Sequence, residues 1–151
     1  MLATIEWTAD GVVMIDQRQL PHQVAFCRCH THHEVAAAIR DMVIRGAPAI
    51  GVAAAMGIAL GARGIPAGLA RAEQARRFEA VCGDITATRP TAVNLFWAAD
   101  RMHRVYDGLP DRPWNERADR LEAEARAMLA EDIACNRRLG AFGQTLLSDG
   151  I

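Results

Sequence analysis

From Ala47 to Ala62 the chain reads APAIGVAAAMGIALGA, a run without one polar side chain. A helix that is apolar on every face must be buried on every face. The rest of the chain therefore has to wrap this segment, and that requirement points to a mostly helical domain. The run falls short of the roughly 20 residues that cross a bilayer, so it is expected as a core helix, with no membrane partner. Gly51, Gly57 and Gly61 interrupt it. Glycine lowers helix propensity, so these positions are expected to let neighbouring helices approach closely.

The residues ahead of the run carry the first candidate site. A helix is expected to end through Ile44, after which Arg45-Gly46-Ala47-Pro48 breaks it and begins the next. Gly46 is expected to take a positive φ closing the first helix, and Pro48 suits the first turn of the second. First-turn N–H groups lack intrahelical partners, and the helix dipole adds partial positive charge there. With Arg45 beside them, these groups can receive a phosphate or carboxylate. The plainer alternative is that Arg45 and Gly46 only terminate a helix.

Upstream, Ile5-Glu6-Trp7 and Val12 to Asp16 flank Thr8-Ala9-Asp10-Gly11. Asp-Gly between short apolar runs predicts a hairpin. A third extended piece is expected at Gln23–Cys27, completing a small N-terminal antiparallel sheet over residues 1–30. Residues 31–151 are expected as a helical domain. Thr31 and Glu34 have capping-box spacing, and Val35, Ala38, Ile39, Met42 and Val43 follow at helical intervals.

Downstream, a more polar helix is expected over Leu69–Val81, stopping near Gly83. Thr88-Arg89-Pro90 then repeats the logic of the first site: Thr88 as cap, Pro90 in the first turn of a helix reaching about Tyr106, and Arg89 at its start. Two arginines at two helix starts could hold one anion between them; the alternative is an ordinary surface arginine. Glu116–Leu147 is expected to be largely helical, with Leu121, Ala125, Met128, Leu129 and Ile133 on one face. Gly140 and Gly143 are expected at a close contact or a break, and Ser148-Asp149-Gly150 is expected as a stop before Ile151, where another element would begin.

Composition narrows the function classes. Net charge is −1, which gives no support to nucleic-acid binding. All 17 basic residues are arginines, so Schiff-base lysine chemistry is excluded within these residues. Met1 to Glu6 lacks a basic start and an apolar core, so a cytoplasmic location with free thiols is expected. Cys27, Cys29, His30, His32 and His33 cluster, but in no finger or ribbon spacing and without a second ligand pair, so no metal is expected. Cys82 and Cys135 are expected as buried thiols. Asp132 and Asn136 share a helix face and could pair or line a pocket.

Four stretches resemble one family: Val12–Pro21 (VVMIDQRQLP), Glu34–Gly57 (EVAAAIRDMVIRGAPAIGVAAAMG), Thr88–Met102 (TRPTAVNLFWAADRM) and Asp132–Gly143 (DIACNRRLGAFG). They are similar to the N-terminal part of the S-methyl-5-thioribose-1-phosphate isomerases. These group with the ribose-1,5-bisphosphate isomerases and the alpha, beta and delta subunits of translation-initiation exchange factor 2B. The IDQR, RGAPAIG and RPTAVNL strings point to the isomerase branch.

The resemblance implies a small sheet and helical domain preceding a Rossmann-like α/β domain. It implies conversion of a cyclic aldose 1-phosphate to an open ketose 1-phosphate in methionine salvage, without a cofactor, by a protein that is a homodimer at full length. It implies substrate-binding roles for Arg45, Gly46, Ala47 and Arg89. The family's catalytic Cys lies in a THCNAG-type segment expected directly after Ile151, and its catalytic Asp further on. None of Cys27, Cys29, Cys82 or Cys135 matches, so no catalytic residue is expected in this chain. The rival expectations are a ribose-1,5-bisphosphate isomerase portion, and a non-catalytic helical binding module that would tolerate Arg45→Ala.

Overall fold

The computed structural model describes residues 3–147; the expected stop at Ser148–Gly150 lies outside them. Strands β1 (Ile5–Thr8), β2 (Gly11–Ile15) and β3 (Phe26–Cys29) form an antiparallel sheet in the order β1-β2-β3. The hairpin forms where Asp-Gly predicts it, with Thr8 paired to Gly11 and Ile5 to Met14. The third strand lies further along than expected, pairing Val12 with Cys29 and Ile15 with Phe26. A tight turn takes up the intervening chain: the Gln23 N–H donates to the Gln19 carbonyl at 2.9 Å and the Asp16 N–H to the Ala25 carbonyl at 2.9 Å.

Five helices follow: α1 (His32–Arg40), α2 (Ala47–Arg63), α3 (Arg71–Thr86), α4 (Val93–Asp107) and α5 (Trp114–Gln144). Helix α2 is the apolar run, buried from Ile50 through Ala59 and again at Gly61 and Ala62. It packs against the other four helices and touches β1 and β2. Its glycines do what their positions suggest. A Cβ on Gly57 would lie 2.7 Å from Ile85 Cδ1 and 2.9 Å from Val35 Cγ1, and one on Gly51 would lie 3.0 Å from the Asn94 carbonyl oxygen. The sheet's inner face (Ile5, Trp7, Val12, Met14) joins the same core as the helices.

The far end of α2 is closed by aromatic packing. Trp114 donates its indole N–H to the Ala62 carbonyl at 3.0 Å, satisfying one of the last carbonyls of α2. Phe78 stacks on Tyr106 with ring centroids 4.1 Å apart, and the Arg117 guanidinium lies 3.8 Å from the Tyr106 centroid.

Several boundaries differ from expectation. Helix α1 carries its full capping box at Thr31 and Glu34 but stops at Arg40 rather than Ile44. Met42 adopts φ 60, with the Met42 N–H donating to the Ile39 carbonyl and the Val43 N–H to the Ala38 carbonyl. These two bonds form a Schellman closure, here with methionine in the left-handed position where glycine is usual. Met42 thereby leaves the buried face and is exposed, while Val43 stays in the core. Helix α3 runs past Gly83 because Ile85, two residues on, is fully buried against Gly57. Gly140 and Gly143 lie inside an unbroken α5 and face open space, so they mark neither a contact nor a break.

Candidate functional site

The site begins with the loop between α1 and α2. Gly46 is the N-cap of α2, with φ 95 and ψ 129. Its positive φ was foreseen, but it opens α2 instead of closing α1; Met42 closes α1. A Cβ on Gly46 would meet nothing within 4 Å, so the requirement for glycine there is conformational, not spatial. Gly46 has no side chain with which to cap the helix, and Pro48 removes one N–H. The first intrahelical bond runs from the Ile50 N–H to the Gly46 carbonyl at 2.9 Å. The Ala47 and Ala49 N–H groups thus precede the helical ladder, at its positive end. Arg45, Gly46, Ala47 and Pro48 are all exposed. Among the described residues Arg45 makes no ion pair.

The loop is held from the sheet side by Asp16-Gln17-Arg18. The Gln17 N–H donates to the Val43 carbonyl at 2.9 Å, and its side-chain amide donates to the Arg45 carbonyl at 3.3 Å. Asp16 is buried and accepts from the Arg18 backbone N–H at 3.1 Å, from two Arg18 guanidinium nitrogens at 2.8 and 2.7 Å, and from Gln19 Nε2 at 3.1 Å. These bonds, foremost that from the Arg18 side chain, hold its carboxyl far below the ordinary carboxylate range. Nothing local in the IDQR string points to a task for Gln17; in the structure it anchors the Arg45 backbone.

Arg89 is half-buried in the loop before α4. The helix starts later than expected, at Val93, with Ala92 as an N-cap that makes no side-chain bond. Thr88 does not cap it; its hydroxyl donates back to the Ile85 carbonyl at 2.6 Å. Pro90 lies in a turn closed by the Ala92 N–H on the Arg89 carbonyl at 3.0 Å. Arg89 therefore precedes the helix by a full turn of loop instead of sitting at its tip. Among the described residues it makes no ion pair.

The structure brings the starts of α2 and α4 together at Gly51 and Asn94, where a Cβ on Gly51 would lie 3.0 Å from the Asn94 carbonyl oxygen. A cleft of about 250 Å³ opens there, lined by Pro48, Gly51, Asn94 and Trp97 on one side and by Glu131, Asp132 and Cys135 of α5 on the other. Arg101 pairs with Glu131 at 2.6 Å and with Glu124 at 2.5 Å. Neither Arg45 nor Arg89 lines this cleft. Asp132 does line it, as one of its expected roles. Cys135 is exposed, contrary to the expectation of a buried thiol, because it lies past Met128, the last buried residue of α5, and borders the open cleft.

The other thiols are chemically quiet. Cys27 and Cys29 have sulfurs 3.9 Å apart without a disulfide. Burial pushes the Cys29 and Cys82 thiols up to about 12. The loop before α2 offers one cation, Arg45, and backbone N–H groups ahead of the helical ladder, an arrangement suited to an anion. Its one carboxylate, Asp41, caps α1 at the other end of the loop.

The profile of the Initiation factor 2 subunit family matches residues 43–151. A methylthioribose-1-phosphate isomerase of Geobacter sulfurreducens is 50% identical over 147 residues, covering 97% of this chain and 42% of the relative. The crystal structure of 5-methylthioribose 1-phosphate isomerase from Pyrococcus horikoshii superposes with a TM-score of 0.93 at 37% identity, over 99% of this chain and 42% of that one. Translation initiation factor eIF-2B subunit delta from A. fulgidus superposes with a TM-score of 0.88 at 35% identity, over 99% of this chain and 43% of that one. The chain spans well under half the length of the relatives it matches.

Proposed function

We propose that this chain, which belongs to the Initiation factor 2 subunit family, carries the anion-holding part of a sugar-phosphate isomerase site. The proposed reaction converts 5-methylthioribose 1-phosphate to 5-methylthioribulose 1-phosphate, in line with the names of its relatives. The observation that supports this most is the first turn of α2. There Gly46 holds φ 95 with no capping side chain, next to an exposed Arg45. In this proposal the Ala47 and Ala49 N–H groups meet phosphate oxygens, and Arg45 and Arg89 add charge. No catalytic residue and no cofactor is assigned to these residues; ring opening and the transfer between C1 and C2 belong to groups beyond those named here.

The test is a titration of the 151-residue chain with inorganic phosphate and with 5-methylthioribose 1-phosphate. Arg45→Ala and Arg89→Ala should each weaken binding about tenfold or more, the value of a charge-assisted bond. Unchanged binding in Arg45→Ala would remove the proposal and favour a non-catalytic helical module. Competition with ribose 1,5-bisphosphate separates the sister isomerase. Turnover by the chain alone would overturn the absence of catalytic residues.

One observation favours a protein contact as well. Ile133, Leu139, Phe142, Leu146 and Leu147, on and just past the outer half of α5, are exposed. A homodimer in the full-length form and a cytoplasmic location complete the proposal. No helix of the described residues is long and apolar enough to cross a membrane.

A further inference from the structure

At the opposite end of α2 from the Arg45 loop, α1 and α3 bring three metal-ligating side chains together. His32 and His33 occupy the first turn of α1, and Asp84 comes from α3, a partner that the spacing of the Cys/His group could not reveal. His32 Nε2 lies 3.1 Å and His33 Nδ1 3.5 Å from the same oxygen, Asp84 Oδ2. The ligand atoms of all three residues lie within 4.8 Å of one another. Bonds of 2.0–2.2 Å to nitrogen and oxygen in a tetrahedral site put neighbouring ligand atoms about 3.3 Å apart. The two spacings to Asp84 bracket that value, and the two imidazole nitrogens lie within 4.8 Å of each other.

We propose that His32, His33 and Asp84 bind a divalent transition-metal ion of the zinc class, with the fourth position open to a water or a small ligand. Two imidazoles and one carboxylate favour zinc, cobalt or nickel over magnesium or calcium, which take oxygen ligands. The fourth position faces a cleft of about 480 Å³ with Leu60, Gly61, Ile65, Ala80 and Val81 on its walls and His30 and Arg77 also lining it. The positive end of α1 opposes a cation. Two carboxylates offset it: Asp84 itself, and Glu34, which accepts from the His30 and Thr31 N–H groups at the same helix start. The two rings already face the shared oxygen, with centroids 3.9 Å apart and planes tilted by 37°. An ion there would tie α1 to α3 across 52 residues of sequence. Nothing in this site depends on the anion-holding loop, about 20 Å of helix rise away along α2.

The experiment uses the 151-residue chain without a histidine tag, stripped of metal by a chelator and titrated with Co2+. One equivalent should bind, with the visible absorption of four-coordinate cobalt, and Zn2+ should displace it. Loss of an outer partner of a ligand already costs about 10–100-fold in affinity. His32→Ala and Asp84→Asn, which remove a ligand outright, should each cost about a hundredfold or more. Cys135→Ser and His22→Ala, which change exposed residues elsewhere, should leave binding unchanged. Binding that survives Asp84→Asn in a protein with an unchanged circular dichroism spectrum overturns the proposal. So does binding lost in Cys135→Ser. If His32→Ala disturbs the fold, His33→Gln at the more exposed ring gives the same reading.

Discussion

The side-chain amide of Gln17 donates to the backbone carbonyl of Arg45 at 3.3 Å, joining the loop after β2 to the loop before α2 across 28 residues. The Gln17 N–H adds a second bond to Val43 in the same loop. Removing the amide leaves the backbone bond in place, so Gln17→Ala should lower stability by about 0.5–1.5 kcal/mol, the net value of one hydrogen bond. It should also weaken phosphate binding without touching a phosphate contact. Urea denaturation combined with a phosphate titration separates the two effects. Unaltered binding would mean that the loop does not need this anchor.

Two glycines should respond with opposite sign. Gly46→Ala forces an L side chain into a positive φ and should cost at least about 1–2 kcal/mol, although a methyl there would touch nothing. Gly83→Ala sits inside α3 facing open space at ordinary helical φ and should stabilise by about 0.5–1 kcal/mol. Thermal melts of both variants decide this, and a neutral Gly46→Ala would remove the conformational argument.

Gly57→Ala tests how tightly α2 is gripped. Its methyl would fall 2.7 Å from Ile85 and 2.9 Å from Val35. Overpacking of this kind costs about 1–3 kcal/mol. Coupling to Val35→Ala should recover part of the loss. A double-mutant cycle giving simple additivity would place the strain elsewhere.

Acid should weaken the sheet end of the domain through Asp16. Its carboxyl pKa is lowered in the folded state. Its contribution is therefore present above the unfolded carboxylate value of about 4 and is lost as pH falls below it. Melting temperatures from pH 7 to pH 3 should fall more steeply for the parent chain than for Asp16→Asn. Parallel curves would refute this.

The two halves of α5 should exchange amide hydrogens at different rates. Trp114, Leu121, Ala125 and Met128 are buried, whereas residues 133–147 are exposed throughout. Such a protruding segment opens with little cost. Amides at 133–144 should exchange far faster than those at 117–128; equal protection would show that the outer half is covered in solution.

What could be read ahead of the structure follows from periodicity and local chemistry. The all-apolar run of α2, the Thr31 capping box and the Asp-Gly hairpin each announce themselves within a few residues. Helix ends decided by distant contacts did not. Ile85 draws α3 past Gly83 because it fills space beside Gly57, which is remote in sequence. Met42 takes a left-handed conformation that propensity assigns to glycine, so sequence alone places the cap of α1 at Gly46. The arginines of the candidate site were legible as residue types, and Gly46 as a positive-φ position. The anchoring by Gln17 was not, since nothing local pairs position 17 with position 45. Asp84 beside His32 is hidden for the same reason.

Helix α2 is enclosed by four helices and the sheet, yet its first turn reaches the surface. That turn continues directly into the buried part of the same helix, and Gln17 holds the loop ahead of it. An anion landing there would find its donors already set by these two supports, and less configurational freedom would remain to be surrendered on binding. Its effect should then appear far from the contact, as slower hydrogen exchange at Ala53–Ala59, deep in the same helix, where every residue is buried.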